Sequence, residues 1–301
     1  MKILITGVNG QLGSQLREIS FKDHEIIGLK KNQFNLQDKE YCRKIILEEK
    51  PDWIINTAAF TAVDEAEIKV SEAFEINAYG VENLAEACSI YGGRLLQIST
   101  DFVFDGSKKN LYLPHDKCNP LNIYGASKLK GENLSLKYAG TLVLRTSWLY
   151  GPSGNNFCLK MLDLHKKYSK QSKIIRVVND QKGCPTDTIN LANVCLELIN
   201  QSNKNNLKNR VFHWSNEGII SWYDFALSIG KYAEEYGLIE KAAEVKPIKA
   251  ENYKTLAKRP KFSALDCMHT SEFLNIKQIK WTDALKLTLK TFQRGIKKMQ
   301  L

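Results

Sequence analysis

Residues 2–13 read KILITGVNGQLG: an apolar run closing on a glycine, then three glycines, Gly7, Gly10 and Gly13, spaced G-x-x-G-x-x-G as a helical pattern (QLGSQLREIS) begins. A strand that is apolar on both faces belongs in a parallel sheet covered on both sides. The glycines permit a tight turn and let backbone N–H groups approach a diphosphate at a helix N-terminus, where the dipole favours negative charge. The stretch therefore points to a Rossmann-type dinucleotide site at the head of the chain.

The pattern repeats outward. Strand-like HEIIGL (24–29), helical DKEYCRKIILEEK (38–50), strand-like DWIINTAA (52–59), a long helix over 70–92, strand-like RLLQISTDFVF (94–104), an amphipathic helix over 127–139 and strand-like TLVLRTSWLYG (141–151) follow in turn. Alternating strands and helices predict a doubly wound parallel sheet. Beyond residue 150 the pattern loosens into GPSGNNF and VNDQKGCPTD, helices over 186–201 and 221–237, a short strand VFHWS (211–215), and a basic helix over 283–298, with QSNKNNLKN (201–209) as a polar loop. We expect a dinucleotide-binding domain over 1–150. Residues 151–301 then form a smaller α/β substrate-binding lobe, with segments returning to the first domain.

The second strand ends GLKKN, so Lys30 and Lys31 stand where an acid would otherwise hold the adenosine ribose hydroxyls. Ammonium groups there suit a 2′-phosphate, which predicts NADPH, with NADH the alternative. Ala58 and Ala59, at the end of the third strand, are small enough for close contact with a cofactor. Thr100 ends a strand expected beside the first. Tyr124 and Lys128 lie four residues apart on one helix face. That set suits carbonyl reduction: Tyr124 as the acid, Lys128 lowering the phenol pKa by its charge and holding the nicotinamide ribose, so that both also belong to the cofactor site, and Thr100 orienting the carbonyl.

Composition narrows the alternatives. Of 301 residues, 43% are hydrophobic and 25% charged, as in an ordinary soluble protein, and no run is apolar for long enough to span a bilayer. Seven cysteines without a C-x-x-C pair argue for reduced thiols and a cytoplasmic setting, without zinc or any other metal. The net charge is +10. Such an excess could attract nucleic acid, an anionic membrane or a small phosphorylated ligand, or be a solvated basic surface; no zinc-finger spacing or RNP-like motif supports nucleic-acid binding, and charge does not choose among the rest.

The ordered series ITGVNGQLG, NTAAFTAVDEAE, INAYGVENLAEAC, ISTDFVFDG, NPLNIYGASKLKGE, LRTSWLYG, NDQKGCPT, SNEGIISWYDFA and KRPKFSALD resembles the dTDP-4-dehydrorhamnose reductase family of extended short-chain dehydrogenase/reductases over essentially the whole chain. The resemblance implies reduction of the C4 ketone of dTDP-4-keto-6-deoxy-L-mannose (dTDP-4-dehydro-L-rhamnose) to dTDP-L-rhamnose with NADPH or NADH. It implies Thr100, Tyr124 and Lys128 as the catalytic set. Gly7, Gly10, Gln11, Leu12 and Gly13 would lie at the cofactor diphosphate, Asn35 and Leu36 near adenine, and Ala58 and Ala59 at the nicotinamide. Thr61, Val63 and Trp148 would face the sugar, and Asn156 and Arg259 the nucleotide diphosphate. A homodimer is compatible with it. This chain has Asn35 where relatives often carry Asp, and Phe102 where tyrosine is common. Two other readings stand beside it. An epimerase or dehydratase on the same scaffold is disfavoured because no Glu follows Asp101. A non-catalytic NADP-binding subunit, resembling the regulatory beta subunit of methionine adenosyltransferase, is disfavoured because Thr100, Tyr124 and Lys128 are all retained.

Overall fold

The computed structural model describes residues 1–19, 24–205, 207 and 210–299, with side chains through 294. The first half runs β1 (Lys2–Thr6), α1 (Gln11–Glu18), β2 (Glu25–Leu29), α2 (Lys39–Glu49), β3 (Trp53–Asn56) and a short α3 (Val63–Ala66). Next, α4 (Val70–Phe74) passes through a π-helical turn (Glu75–Tyr79) into α5 (Gly80–Ser89). Then come β4 (Arg94–Thr100), a 3₁₀ turn (Asp101–Val103), α6 (Ile123–Ser135) and β5 (Thr141–Thr146). The second half adds β6 (Leu149–Tyr150), α7 (Phe157–Lys170), β7 (Ile175–Val178), β8 (Lys182–Gly183), β9 (Thr186–Asp187) and α8 (Thr188–Lys204). It closes with β10 (Arg210–His213), β11 (Ile220–Ser221), α9 (Trp222–Glu235), β12 (Val245–Ile248), α10 (Met268–Leu274) and α11 (Trp281–Met299). Among the described residues no helix is long and apolar enough to cross a membrane.

Six strands form one parallel sheet in the order β2-β1-β3-β4-β5-β10. β1, β3 and β5 bury both faces, so each face needs a helical layer. On one face Ile3, Ile5, Leu12 and Leu16 pack with Leu191 and Leu198 of α8. On the other, Leu4 and Ile54 meet Ile46 of α2 and Val81 and Leu84 of α5. Thus the second half supplies both an edge strand and a covering helix to the sheet. A separate core of Tyr150, Phe225, Leu285 and their neighbours lies under the smaller lobe.

Contrary to expectation, the strand that Thr100 ends does not lie beside the first: β3 stands between β4 and β1. Consecutive strands joined by right-handed crossovers settle side by side, which places β4 one step further out. Polar side chains bridge the gap inside the sheet. Thr6 donates to Asn56 (2.5 Å), Asn56 to Gln97 (2.6 Å), and Gln97 to the Ile98 carbonyl (2.6 Å). Three elements are also more broken than expected. The run over 94–104 stops being a strand at Thr100, whose hydroxyl caps the 3₁₀ turn by accepting from Phe102 N–H at 3.2 Å. The run over 141–151 breaks at Trp148, whose φ of +47° no strand accommodates. The helix over 70–92 carries the π turn, where Asn77 bonds both Phe60 N–H and C=O and donates to Ser127 Oγ at 3.0 Å. Of the loop expected at 201–209, residues through Lys204 belong to α8, while 206, 208 and 209 lie outside the described residues.

Candidate active site

The glycine turn sits between β1 and α1, beside the point where β2 and β3 diverge to either side of β1. Open α/β sheets bind ligands at such a switch point. Gly7 has φ +67°, and a Cβ on it would lie 2.8 Å from Ala58 N. A Cβ on Gly13 would run into the Gly7 carbonyl oxygen. Gly10 donates its N–H to that same oxygen at 2.8 Å and caps α1, whose first N–H groups have no intrahelical acceptor. These features fit a dinucleotide diphosphate: a backbone cradle, bare of side chains, at a helix N-terminus. Gln11 overhangs it. Its Nε2 donates to the Asn155 carbonyl at 3.2 Å, while its Oε1 is buried without a partner. The Leu12 side chain lies in the core, which leaves only its backbone for the cradle.

Lys30 and Lys31 are exposed in the turn after β2, with no acidic side chain between Leu29 and Asn35. Asn35 is exposed and its Oδ1 accepts from Gln37 N–H at 3.1 Å. Leu36 is buried, with its Cβ against Gly80 of α5. Ala58 and Ala59 are half-buried beside Gly7 at the end of β3.

α6 begins at Asn122, whose Oδ1 accepts from Gly125 N–H at 2.8 Å and whose Nδ2 donates to the Lys258 carbonyl at 2.7 Å. That cap puts Tyr124 in the first turn and Lys128 one turn on. Thr100, at the end of β4, pairs through its hydroxyl with the Tyr124 phenol and lies 3.2 Å from Asp101 Oδ1. Phe102 packs edge-on against Tyr124, ring centres 5.8 Å apart. The structure therefore brings Thr100, Tyr124 and Lys128 to one end of the sheet. The phenol pKa is not lowered as expected. Burial pushes it up to about 12, and the Thr100 hydroxyl only partly offsets this. Burial likewise pushes Lys128 down to about 8, and its Nζ donates to the Ile98 carbonyl at 2.6 Å. Asp101, 2% exposed, is raised to about 7 by burial, with Ser263 and Thr100 pulling the other way.

A cavity of about 1040 Å³ opens from Phe102 toward the smaller lobe. Trp148 lines it, its indole stacked on Trp222 at 3.5 Å. Lys160, Arg176, Lys254, Lys258, Arg259 and Lys261 also line it, against the carboxylates of Asp105 and Glu251. Arg259 ion-pairs with Asp64 at 2.6 Å, and Asp64 also accepts from Ala257 N–H. Thr61 is exposed and Val63 half-buried at the start of α3. Asn156 is committed elsewhere: it caps α7 through Leu159 N–H and donates to the Gly151 and Ser153 carbonyls, leaving its amide little for a ligand. Sequence reasoning passed over Asp64, Trp222, Glu132 and Arg145. Only Glu132 carried a local signal, an acid four residues beyond Lys128.

A glycine cradle joined to Thr100, Tyr124 and Lys128 on adjoining elements defines the extended short-chain dehydrogenase/reductase class. Comparison with known proteins narrows this. The profile of the RmlD substrate binding domain matches residues 1–294. A dTDP-4-dehydrorhamnose reductase of Aggregatibacter actinomycetemcomitans is 38% identical, over 95% of this chain and 97% of its own. Among solved structures, a dTDP-4-dehydrorhamnose reductase from Clostridium acetobutylicum superposes with TM-score 0.89 at 38% identity, covering 97% of this chain and all of that one. Another, from Bacillus anthracis in complex with NADP, gives 0.87 at 34% identity, covering 96% and 99%. The chain belongs to the dTDP-4-dehydrorhamnose reductase family.

Proposed function

We propose that the protein reduces the C4 ketone of dTDP-4-dehydro-L-rhamnose to dTDP-L-rhamnose with NADPH. The observation that supports the reading is the meeting of Thr100, Tyr124 and Lys128 at the end of β4, beside Phe102, which lines the basic, aromatic-lined cavity. Gly7, Gly10 and Gly13 with the α1 N-terminus take the coenzyme diphosphate, and Lys30 answers the 2′-phosphate. NADPH, when bound, supplies hydride to the sugar carbon. Tyr124 Oη gives its proton to the carbonyl oxygen as that oxygen becomes negative, and the Thr100 hydroxyl orients it. The Lys128 ammonium lowers the cost of the phenolate left behind. Trp148 and Trp222 wall the sugar-nucleotide cavity, whose excess of cations suits a dianionic diphosphate.

Purified protein given dTDP-4-dehydro-L-rhamnose should consume one NADPH per ketone, followed at the nicotinamide absorbance band. Tight NADPH binding without oxidation by this ketone would instead support the non-catalytic subunit reading.

A further inference from the structure

Glu132 takes no part in the steps above, yet it is 1% exposed and stands one turn beyond Lys128 on the same face of α6. Its carboxylate is held from two strands. The Ser99 hydroxyl of β4 donates to Oε1. Arg145 of β5 donates from Nε to Oε1 at 3.0 Å and from Nη2 to Oε2 at 2.6 Å. Arg145 is itself buried, reaching the Pro114 carbonyl at 3.1 Å, His213 Nε2 at 3.3 Å and Cys118 Sγ at 3.3 Å.

We infer that Glu132, clamped by Arg145 and Ser99, is a positioning residue for the reduction: the buried counter-charge held one helical turn behind Lys128, acting on it through charge and not through a direct bond. The inference rests on the function proposed above. Three consecutive residues of β4 meet α6 in register. The Ile98 carbonyl takes Lys128, the Ser99 hydroxyl meets Glu132, and the Thr100 hydroxyl meets Tyr124. One strand thus sets acid, cation and counter-charge together.

A carbonyl accepts from a neutral amine as well as from an ammonium, so the Ile98 contact alone does not hold the charge. Lys128 is 4% exposed, and burial favours its neutral form. Glu132 is the charged group that opposes this. The other carboxylates on elements packed against α6 are Asp101 of the 3₁₀ turn, Asp64, Glu65 and Glu67 at α3, Glu72 of α4, Glu75 of the π turn, and Glu82 and Glu86 of α5. None of these bears on Lys128, nor do the Tyr124 phenol or the Arg94 guanidinium of β4. Arg145, His213 and Cys118 act on Glu132's side of the pair.

The test is kcat/KM for ketone reduction across pH 6–10 in the wild type, Glu132→Gln, Glu132→Asp and the double variant Glu132→Gln/Arg145→Met, with NADPH affinity measured in parallel. Removing the counter-charge should move the alkaline limb down by about one to three pH units in the single Gln variant, and in the same direction but less far in the double, which also loses the opposing Arg145 charge. Glu132→Asp, which keeps the charge, should restore most of the shift. The double variant leaves no lone buried guanidinium, so it decides the matter if the single variant does not fold. Folded variants that lose stability while the limb stays at its wild-type position overturn the inference and leave Glu132 merely structural. A wild type inactive at every pH overturns the function and the inference together, whereas an active wild type with an unmoved limb overturns only the role of Glu132.

Discussion

A phenol raised to about 12 keeps its proton throughout the neutral range, which is what an acid waiting for a carbonyl requires. In the proposed reduction the difficulty lies in the phenolate that follows, and the buried Lys128 is the group proposed to answer it. Replacing Tyr124 by Phe keeps the ring and its edge contact with Phe102 but removes the proton. The rate should fall by about 10² to 10⁴-fold, with NADPH affinity unchanged in a fluorescence titration. Arg259 is a second test at this scale. It holds Asp64 from the cavity wall, and a substrate diphosphate would be its stronger partner. Arg259→Ala should raise KM for the nucleotide sugar about 10- to 100-fold, the worth of a charge-assisted bond, with kcat little changed in steady-state assays. That Tyr124, Lys128 and Thr100 meet could be read from the chain because a helical spacing and a strand end are local patterns. Arg145 could not, because its pairing with Glu132 depends on which strand lies beneath α6. Asn156 misleads for the opposite reason: an amide in a loop looks free until its cap bonds are seen.

Among the elements, the strands were visible as apolar runs and the helices as amphipathic ones, but the breaks were not. Periodicity cannot show the π turn, because one extra residue within a turn leaves the flanking pattern intact. Nor does it show Trp148 turning the chain out of β5 into the cavity wall. The π turn matters because α6 packs directly on it. A Cβ on Gly131 would run into the Asn77 carbonyl, and Asn77 in turn ties the Phe60 backbone to Ser127. Gly131→Ala therefore has to push the catalytic helix away from backbone, which cannot yield as a side-chain tip would. It should cost about 1–3 kcal/mol, seen as a lower urea midpoint, and kcat should fall with it because Tyr124 and Lys128 ride on the same helix.

At the scale of the whole molecule, the two halves of the chain are interleaved; the loosened pattern beyond residue 150 suggests segments that return to the first domain, but not which strand and helix return. β10 completes the sheet beside β5, and α8 covers its face. The loop over 151–156 lies back on the glycine cradle through Gln11 and Asn155. His213, on that returning strand, shows how the join responds to acid. It is fully buried, its Nδ1 lies 3.0 Å from the Tyr112 carbonyl, and its Nε2 faces the Arg145 guanidinium. Burial first, and then that positive neighbour, push its pKa from 6.5 down to about 3. In this interval the unfolded chain protonates the ring while the folded chain does not. The unfolded state thus binds more protons, and stability must rise with pH. The contribution is present above pH 6.5 and is lost as pH falls toward 3, by up to about 1.4 kcal/mol per pH unit. Asp101, raised to about 7, binds its proton in the folded state over the same interval and opposes this, so the His213 share is read as a difference. From pH 7 to pH 5 the wild-type urea midpoint should fall relative to that of His213→Gln, which cannot take up the proton, with His165 and Asp101 acting alike in both. A variant whose midpoint falls as steeply as the wild type's would show that the acid sensitivity of the join arises elsewhere.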